Sequence, residues 1–187
     1  IAASDIVRAS LLMTLLTYFS SAVIPGWTSV VADGDFREMK NRPMVKRGGG
    51  ADLDSRIWIL GVGEAGVGRK TTTLSIARKI FKQLDEAWLQ KVKIDSVDSG
   101  EMLIADHVKQ PVRVVRLDEW GKVYLSKAAA KNSTIRASLR LIWDGSGENR
   151  TITNGVRTAE LALPAVMGTL TQDELLNSKY LPELQRY

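Results

Sequence analysis

Between Arg56 and Leu74 the chain reads RIWILGVGEAGVGRKTTTL. Gly63, Gly66 and Gly68 stand just ahead of two cations, Arg69 and Lys70, and a hydroxyl, Thr71. Glycines let a backbone turn tightly, and the free amides at a helix start attract anions. A short apolar strand, 56–60, leads into this turn, and a helix is expected over 71–89, with Leu74, Ala77, Ile80, Phe81, Leu84 and Trp88 on one side. Amides and cations brought together in this way make an anion site, for which phosphate is the natural ligand. The plainer reading is a tight strand-to-helix turn with Arg69 and Lys70 as exposed basic residues.

The stretch resembles the phosphate-binding loop of P-loop NTPases, G-x-x-x-x-G-K-[ST], over Arg56 to Phe81. Gly63 and Gly68 match the two spaced glycines. Two registers are open beyond them. With Arg69 counted as an insertion, Lys70 and Thr71 are the functional pair. Without it, Arg69 replaces the lysine and Lys70 falls on the magnesium position, where a cation repels the metal. An insertion carried inside the helix would rotate the lysine by about 100°. Val114 to Glu119 (VVRLDE) resembles the strand whose terminal acid helps hold magnesium, so the resemblance assigns that role to Asp118 and Glu119. It implies ATP and magnesium as cofactors.

Other elements must position this turn. Residues 4–24 read as a helix capped by Ser4, with Ile6, Leu11, Leu12, Leu15, Leu16 and Phe19 around a wide apolar face, stopped by Pro25-Gly26. Residues 25–55 read as a long connection. Its basic cluster of Lys40, Arg42, Lys46 and Arg47 precedes three glycines and could touch phosphates. The second half reads as strands at 112–117, 121–125 and 135–141. In IRASLRL, Ile135, Ala137, Leu139 and Leu141 alternate with Arg136, Ser138 and Arg140, a period-two pattern with one wet face. Asp144-Gly145 and Asn154-Gly155 are turn signals. Residues 156–169 fit a strand or a helix ended near Pro164, and TQDELL fits a short capped helix. The expected fold is α+β, a largely antiparallel sheet with an N-terminal helix and one strand–glycine-loop–helix unit. Residues 1–50 form a helix plus basic arm, and 51–187 a single domain.

Composition narrows the chemistry. The 187 residues contain no cysteine, which excludes disulfides, thiolate metal sites and cysteine nucleophiles. His107 is the one histidine, so it would have to carry any serine–histidine triad, and no nucleophile-elbow motif accompanies it. The stretch Ile6–Ile24 is interrupted by Arg8 and by serines and threonines, and is expected to be a buried or partner-binding helix rather than a membrane span. Lysine and arginine outnumber the acids 26 to 21 and the pI is near 9.5, a balance that suits an acidic partner.

Two functions follow as expectations. The first is a non-enzymatic basic assembly protein without cofactor or metal, in the cytoplasm or a virion interior. It would bind nucleic acid, a nucleoprotein or an anionic membrane surface through Lys40, Arg42, Lys46, Arg47, Arg136 and Arg140, and self-associate through its N-terminal helix. Trp120, Tyr124 and Trp143 are the aromatic candidates for base stacking. The order strand, turn, GRKTTTL, helix, GKVYL and STIRASLRLIWD resembles the matrix proteins of rhabdoviruses, which condense the nucleoprotein filament beneath the viral membrane. The alternative is a P-loop ATPase using Lys70 or Arg69 on phosphates, Thr71 or Thr72 on magnesium, and Asp118 with Glu119 as metal partner and water-orienting base. A parallel sheet with the glycine loop feeding a helix beside the Asp118 strand would favour the alternative.

Overall fold

A computed structural model describes residues 3–23, 44–46, 52–64, 69–117, 120, 127, 130, 133–144, 150–152, 155–157 and 162–176. For 3–6, 44–46, 52–54, 150–152 and 155–157 the backbone alone is described. In chain order the elements are α1 (Ala3–Val23), β1 (Met44–Lys46), β2 (Asp52–Asp54), β3 (Trp58–Gly63), α2 (Lys70–Leu84), α3 (Glu86–Val92) and β4 (Lys93–Ile94). Then come α4 (Gly100–Lys109), β5 (Val112–Leu117), α5 (Ile135–Trp143), β6 (Arg150–Ile152), β7 (Gly155–Arg157), β8 (Leu163–Thr171) and α6 (Gln172–Leu176).

The main sheet has four strands in the order β3-β8-β5-β4, and every pairing is parallel. This overturns the expected antiparallel sheet. Antiparallel pairing among the described residues is confined to two hairpins, β1-β2 and β6-β7, the second at the Asn154-Gly155 turn signal. Parallel strands need crossovers and a cover on each face. Here one apolar cluster joins α1, α2 and α3 to one face through Tyr18, Leu74, Phe81, Trp88 and Met167. A second cluster joins α4 and α5 to the other face through Leu103, Ile135, Leu139, Ile142 and Val166. The result is a three-layer α/β/α arrangement.

The antiparallel expectation rested on two misread segments. VRVVRL carries Arg113 and Arg116, which the face of an antiparallel strand would turn to water. In the fold Arg113 is buried, and its guanidinium donates to the Lys91 carbonyl at 2.6 Å and twice to that of Asp106, at 2.6 and 3.2 Å. Those carbonyls lie in the last turns of α3 and α4, and that of Asp106 also accepts from the Gln110 amide at 3.1 Å. IRASLRL was read as a strand; it is a helix. Ile135, Ser138, Leu139 and Ile142 are its buried residues, spaced i, i+3, i+4 and i+7, and Ile142 extends that stripe past the stretch that alternates.

In α1 the expected apolar face is turned. Thr14, Thr17, Ser20 and Ser21 are buried, while Leu12, Met13, Leu16 and Phe19 face outward. The hydroxyls are cheap to bury because they are satisfied. Thr14 donates to the Ser10 carbonyl and Thr17 to that of Met13, each at 2.8 Å, and Ser21 donates to the Arg113 carbonyl at 3.2 Å. Small side chains let α1 lie close to the sheet. It runs alongside α2, where Ser10 Oγ is 3.1 Å from Thr73 Oγ1 and the Tyr18 and Phe81 rings stack at 4.9 Å. Leu11 and Leu15 pack partly into the core. Among the described residues no helix is long and apolar enough to cross a membrane.

Gly100 shows how tightly α4 meets α5. A Cβ there would fall 2.5 Å from the Thr134 carbonyl oxygen and closer still to Ser138 Oγ. Gly100→Ala should therefore destabilise the fold by about 1–3 kcal/mol, read as a lower melting temperature. Gly61→Ala, whose methyl would sit 3.6 Å from the Gly168 oxygen, should leave melting nearly unchanged. Equal melting of both variants would sink the close-packing account.

Candidate phosphate-binding site

β3 carries the chain to Gly63, which lies opposite Thr171 at the end of β8. Residues 65–68, including Gly66 and Gly68, are outside the described residues. The chain re-enters at Arg69, the N-cap of α2, in a left-handed conformation with φ 43° and ψ 27°. It is the one non-glycine residue with positive φ among the described residues. The Arg69 carbonyl accepts from the Thr73 amide at 3.0 Å, so helical bonding starts there. Lys70 and Thr71 are the first two residues of the helix. Of the two registers open in the sequence, this places the lysine–threonine pair at the helix start and leaves Arg69 outside it.

Lys70 folds back to the end of β3. Its ammonium donates to the Gly63 carbonyl at 2.5 Å and to that of Glu64 at 3.0 Å. A lysine at a helix start thus closes on the last strand residue. The first amides of α2 lie at the same end, and no side chain of the N-cap accepts from them. No acid occupies the first turn. Thr71 and Thr72 are exposed, while Thr73 is buried and donates to the Lys70 carbonyl at 2.7 Å. Amide donors, a cation and exposed hydroxyls therefore converge at one helix N-terminus, where the helix dipole also favours negative charge.

All four strands of the sheet point their C-terminal ends to this edge, the side on which open parallel sheets bind ligands. β5 ends at Leu117, opposite Gly168 of β8. Its chain continues into Asp118-Glu119, which lie outside the described residues. β5 is two strand spacings from β3, about 10 Å. Between them, Thr171 and Glu174 close a reciprocal cap. Glu174 accepts from the Thr171 amide and hydroxyl at 2.8 Å each, and the Glu174 amide donates to Thr171 Oγ1 at 3.1 Å. Among the described residues no group of histidines and acids could hold a metal ion.

The other candidate residues are not brought to this edge. Arg136 and Arg140 lie on α5, across the sheet from α2. Of the basic arm, Lys46 falls in β1, and Lys40, Arg42 and Arg47 are outside the described residues. Arg150 and Arg157 face each other as Cα partners in the β6-β7 hairpin. Lys127 pairs with Asp98 at 2.8 Å. Among the aromatics, Trp120 is buried against Gly168, Trp143 is exposed and meets Trp58 edge-on at 4.7 Å, and Tyr124 is outside the described residues. Arg56 is a further basic residue of structural weight: its guanidinium donates to the carbonyls of Ile142, Trp143 and Ala162 at 2.8, 3.0 and 3.2 Å. It binds the C-terminal end of α5; the strand expected at 56–60 runs Trp58–Gly63, so Arg56 lies ahead of it rather than in it.

No protein-family model matches the chain. No curated protein matches it in sequence either. The site therefore rests on its own geometry.

His107, the candidate for a triad, is fully buried inside α4 packing, with Nδ1 2.7 Å from the Leu103 carbonyl. Nδ1 therefore carries the proton, and Nε2 has no partner among the described residues. Burial lowers its pKa from 6.5 to about 4, opposed by that hydrogen bond and reinforced by the charges of Arg113 and Arg56. Between these two values the unfolded chain takes up the proton and the fold does not. The neutral imidazole's contribution is thus complete above pH 6.5 and is lost as pH falls to about 4. It amounts to on the order of 3 kcal/mol. The difference in melting temperature between pH 7 and pH 4.5 should be smaller in His107→Gln than in the native chain. Parallel pH profiles would refute this role.

Proposed function

We infer that the chain is a nucleotide-binding protein of P-loop type, taking a nucleoside triphosphate with magnesium at the β3–α2 turn. The observation that carries this reading is the lysine: Lys70 opens α2 and bonds to the Gly63 carbonyl, at the C-terminal edge of a parallel sheet. Three further features support it. Arg69 takes up the extra residue outside the helix. Thr71 follows the lysine with an exposed hydroxyl. The strand leading to Asp118-Glu119 is parallel to β3, with β8 between them.

The residues divide the work as their chemistry allows. The turn amides and the N-terminus of α2 bind phosphate oxygens. Lys70, released from the two carbonyls, neutralises the terminal phosphates. Thr71 and Asp118 are the oxygen donors suited to magnesium, which would supply charge neutralisation across the phosphates when bound. Glu119 is the base suited to orienting an attacking water. Burial of α1 and α2 against the same face fixes the helix start rigidly, as positioned charge requires.

A second reading, self-association as a basic assembly protein, draws support from α1. Leu12 and Phe19 are each 57% exposed, with Leu16 and Met13 beside them. Leu12→Asp with Phe19→Asp should convert an assembling chain to a monomer in sedimentation. A native chain that is already monomeric at high concentration would remove this reading.

For the nucleotide reading the measurement is calorimetry of ATP with and without magnesium. The native chain should bind in a magnesium-dependent way. Lys70→Ala should weaken binding by about tenfold or more, since a hydrogen-bonded charge is lost, with melting little changed. No binding by the native chain, or equal binding by the variant, would overturn it.

A further inference from the structure

We propose that Trp120 is a positioning residue, which holds the acid pair Asp118-Glu119 to the sheet by packing its indole on Gly168 of the central strand; this rests on the nucleotide-binding reading above. Gly168 occupies one row of the parallel ladder. It is the Cα partner of Leu60 in β3 and of Leu117 in β5. Leu60 lies three residues ahead of Gly63, and Leu117 is the residue before Asp118. The row therefore joins the strand that feeds the glycine turn to the strand that leads to the acids.

Trp120 returns to the same row. It is buried, and it belongs to the apolar cluster that α4 and α5 form on that face of the sheet. A methyl group at Gly168 would fall on Trp120 Cε3, well inside van der Waals contact, with Cζ3 at 3.1 Å and Leu60 Cδ1 at 3.2 Å. The absent side chain is thus the notch that the indole fills. Three steps of chain separate Leu117 from Trp120, a span of at most about 11 Å. The ladder fixes one end of that span and the indole fixes the other, both at Gly168. A carboxylate that serves a metal ion has to be held to within about 0.5 Å, by neighbours that are themselves locked by packing. A strand end alone anchors one side of the acid pair, and Trp120 supplies the second anchor. It need touch neither nucleotide nor metal to do so.

The test measures dissociation constants for ATP, in magnesium and in EDTA, on the native chain, on Gly168→Ala, on Trp120→Leu and on the double variant, with the melting temperature of each. The ratio of the two constants is the gain from magnesium. Trp120→Leu should lower that gain by about tenfold and leave the magnesium-free affinity within about threefold. Gly168→Ala should lower the gain by a similar factor and melt earlier, because its methyl meets the indole. The double variant has room for the methyl, so it should melt above Gly168→Ala while its gain stays low. A gain that recovers along with the melting temperature would make the indole simple packing and overturn the proposal. A native gain in Trp120→Leu would overturn it too, and in both cases the nucleotide site stands. If Gly168→Ala does not fold, Trp120→Leu alone decides. A native chain that binds ATP equally in magnesium and EDTA would remove the proposal with the role of the acids, and one that binds no ATP would remove the nucleotide reading itself.

Discussion

β8 is hydrogen-bonded on both sides, to β3 and to β5, and every residue from Leu163 to Leu170 is buried. It is the last strand among the described residues, yet it is the strand that joins the others. Without it β3 would have no partner in the main sheet, and the glycine turn would not share an edge with the strand leading to Asp118. The pairing of Trp58 with Val166 spans more than half the chain. Contacts this distant in sequence carry a large loop-closure cost, so the sheet is completed by non-local association rather than by neighbouring hairpins. Near-complete burial of β8 supplies the apolar drive for it: Leu163, Val166, Met167 and Leu170 fill both cores at once.

The basic character of the chain looks different in this frame. Two of its arginines are consumed by architecture. Arg56 and Arg113 bond to carbonyls at the C-terminal ends of α5, α3 and α4, where the dipole favours a cation. Burial lowers the pKa of Arg113 and the nearby Asp106 opposes that shift, but a guanidinium stays charged. Arg113 also lends its own carbonyl to Ser21, so one residue ties together three helices and the sheet. A net charge read from composition cannot distinguish a cation facing solvent from one spent on backbone oxygens.

The same limit decides how much was legible. The strand expected at 56–60 and the helix expected at 71–89 could be read in part, because glycines follow the first and Leu74, Ala77 and Phe81 recur at helical spacing; the strand runs Trp58–Gly63, and the helix breaks at Asp85 into α2 and α3. The capping box at Thr171 and the hairpin at Asn154-Gly155 are local chemistry and were read for the same reason. The sheet was misread where polar side chains were taken as solvent-facing. In β5 an arginine is buried because its head finds backbone acceptors, which depends on helices distant in sequence. In α1 hydroxyls are buried because they bond to their own helix, which leaves Leu12, Leu16 and Phe19 outward. Residues 135–141 satisfied both a period of two and a period of 3.6, and Ile142, outside that window, carried the helical stripe on.

The glycine turn poses a problem of register, and magnitudes decide how the fold resolves it. If Lys70 is the lysine of the proposed P-loop pattern, Arg69 is one residue more than that pattern allows. If α2 absorbed that residue, every later side chain would rotate by about 100°. Leu74 and Phe81 would leave the core, where each is worth about 1.5–3 kcal/mol when fully buried, and Thr73 would lose its contact with Ser10. Placing the residue outside the helix instead costs one left-handed backbone, about 1–2 kcal/mol. The second solution is the smaller penalty, and it is the one the chain adopts at Arg69. The packing of α2 against the sheet and α1 therefore holds Lys70 at the helix start, and the lysine's bonds to the Gly63 and Glu64 carbonyls are a consequence of the core beneath it.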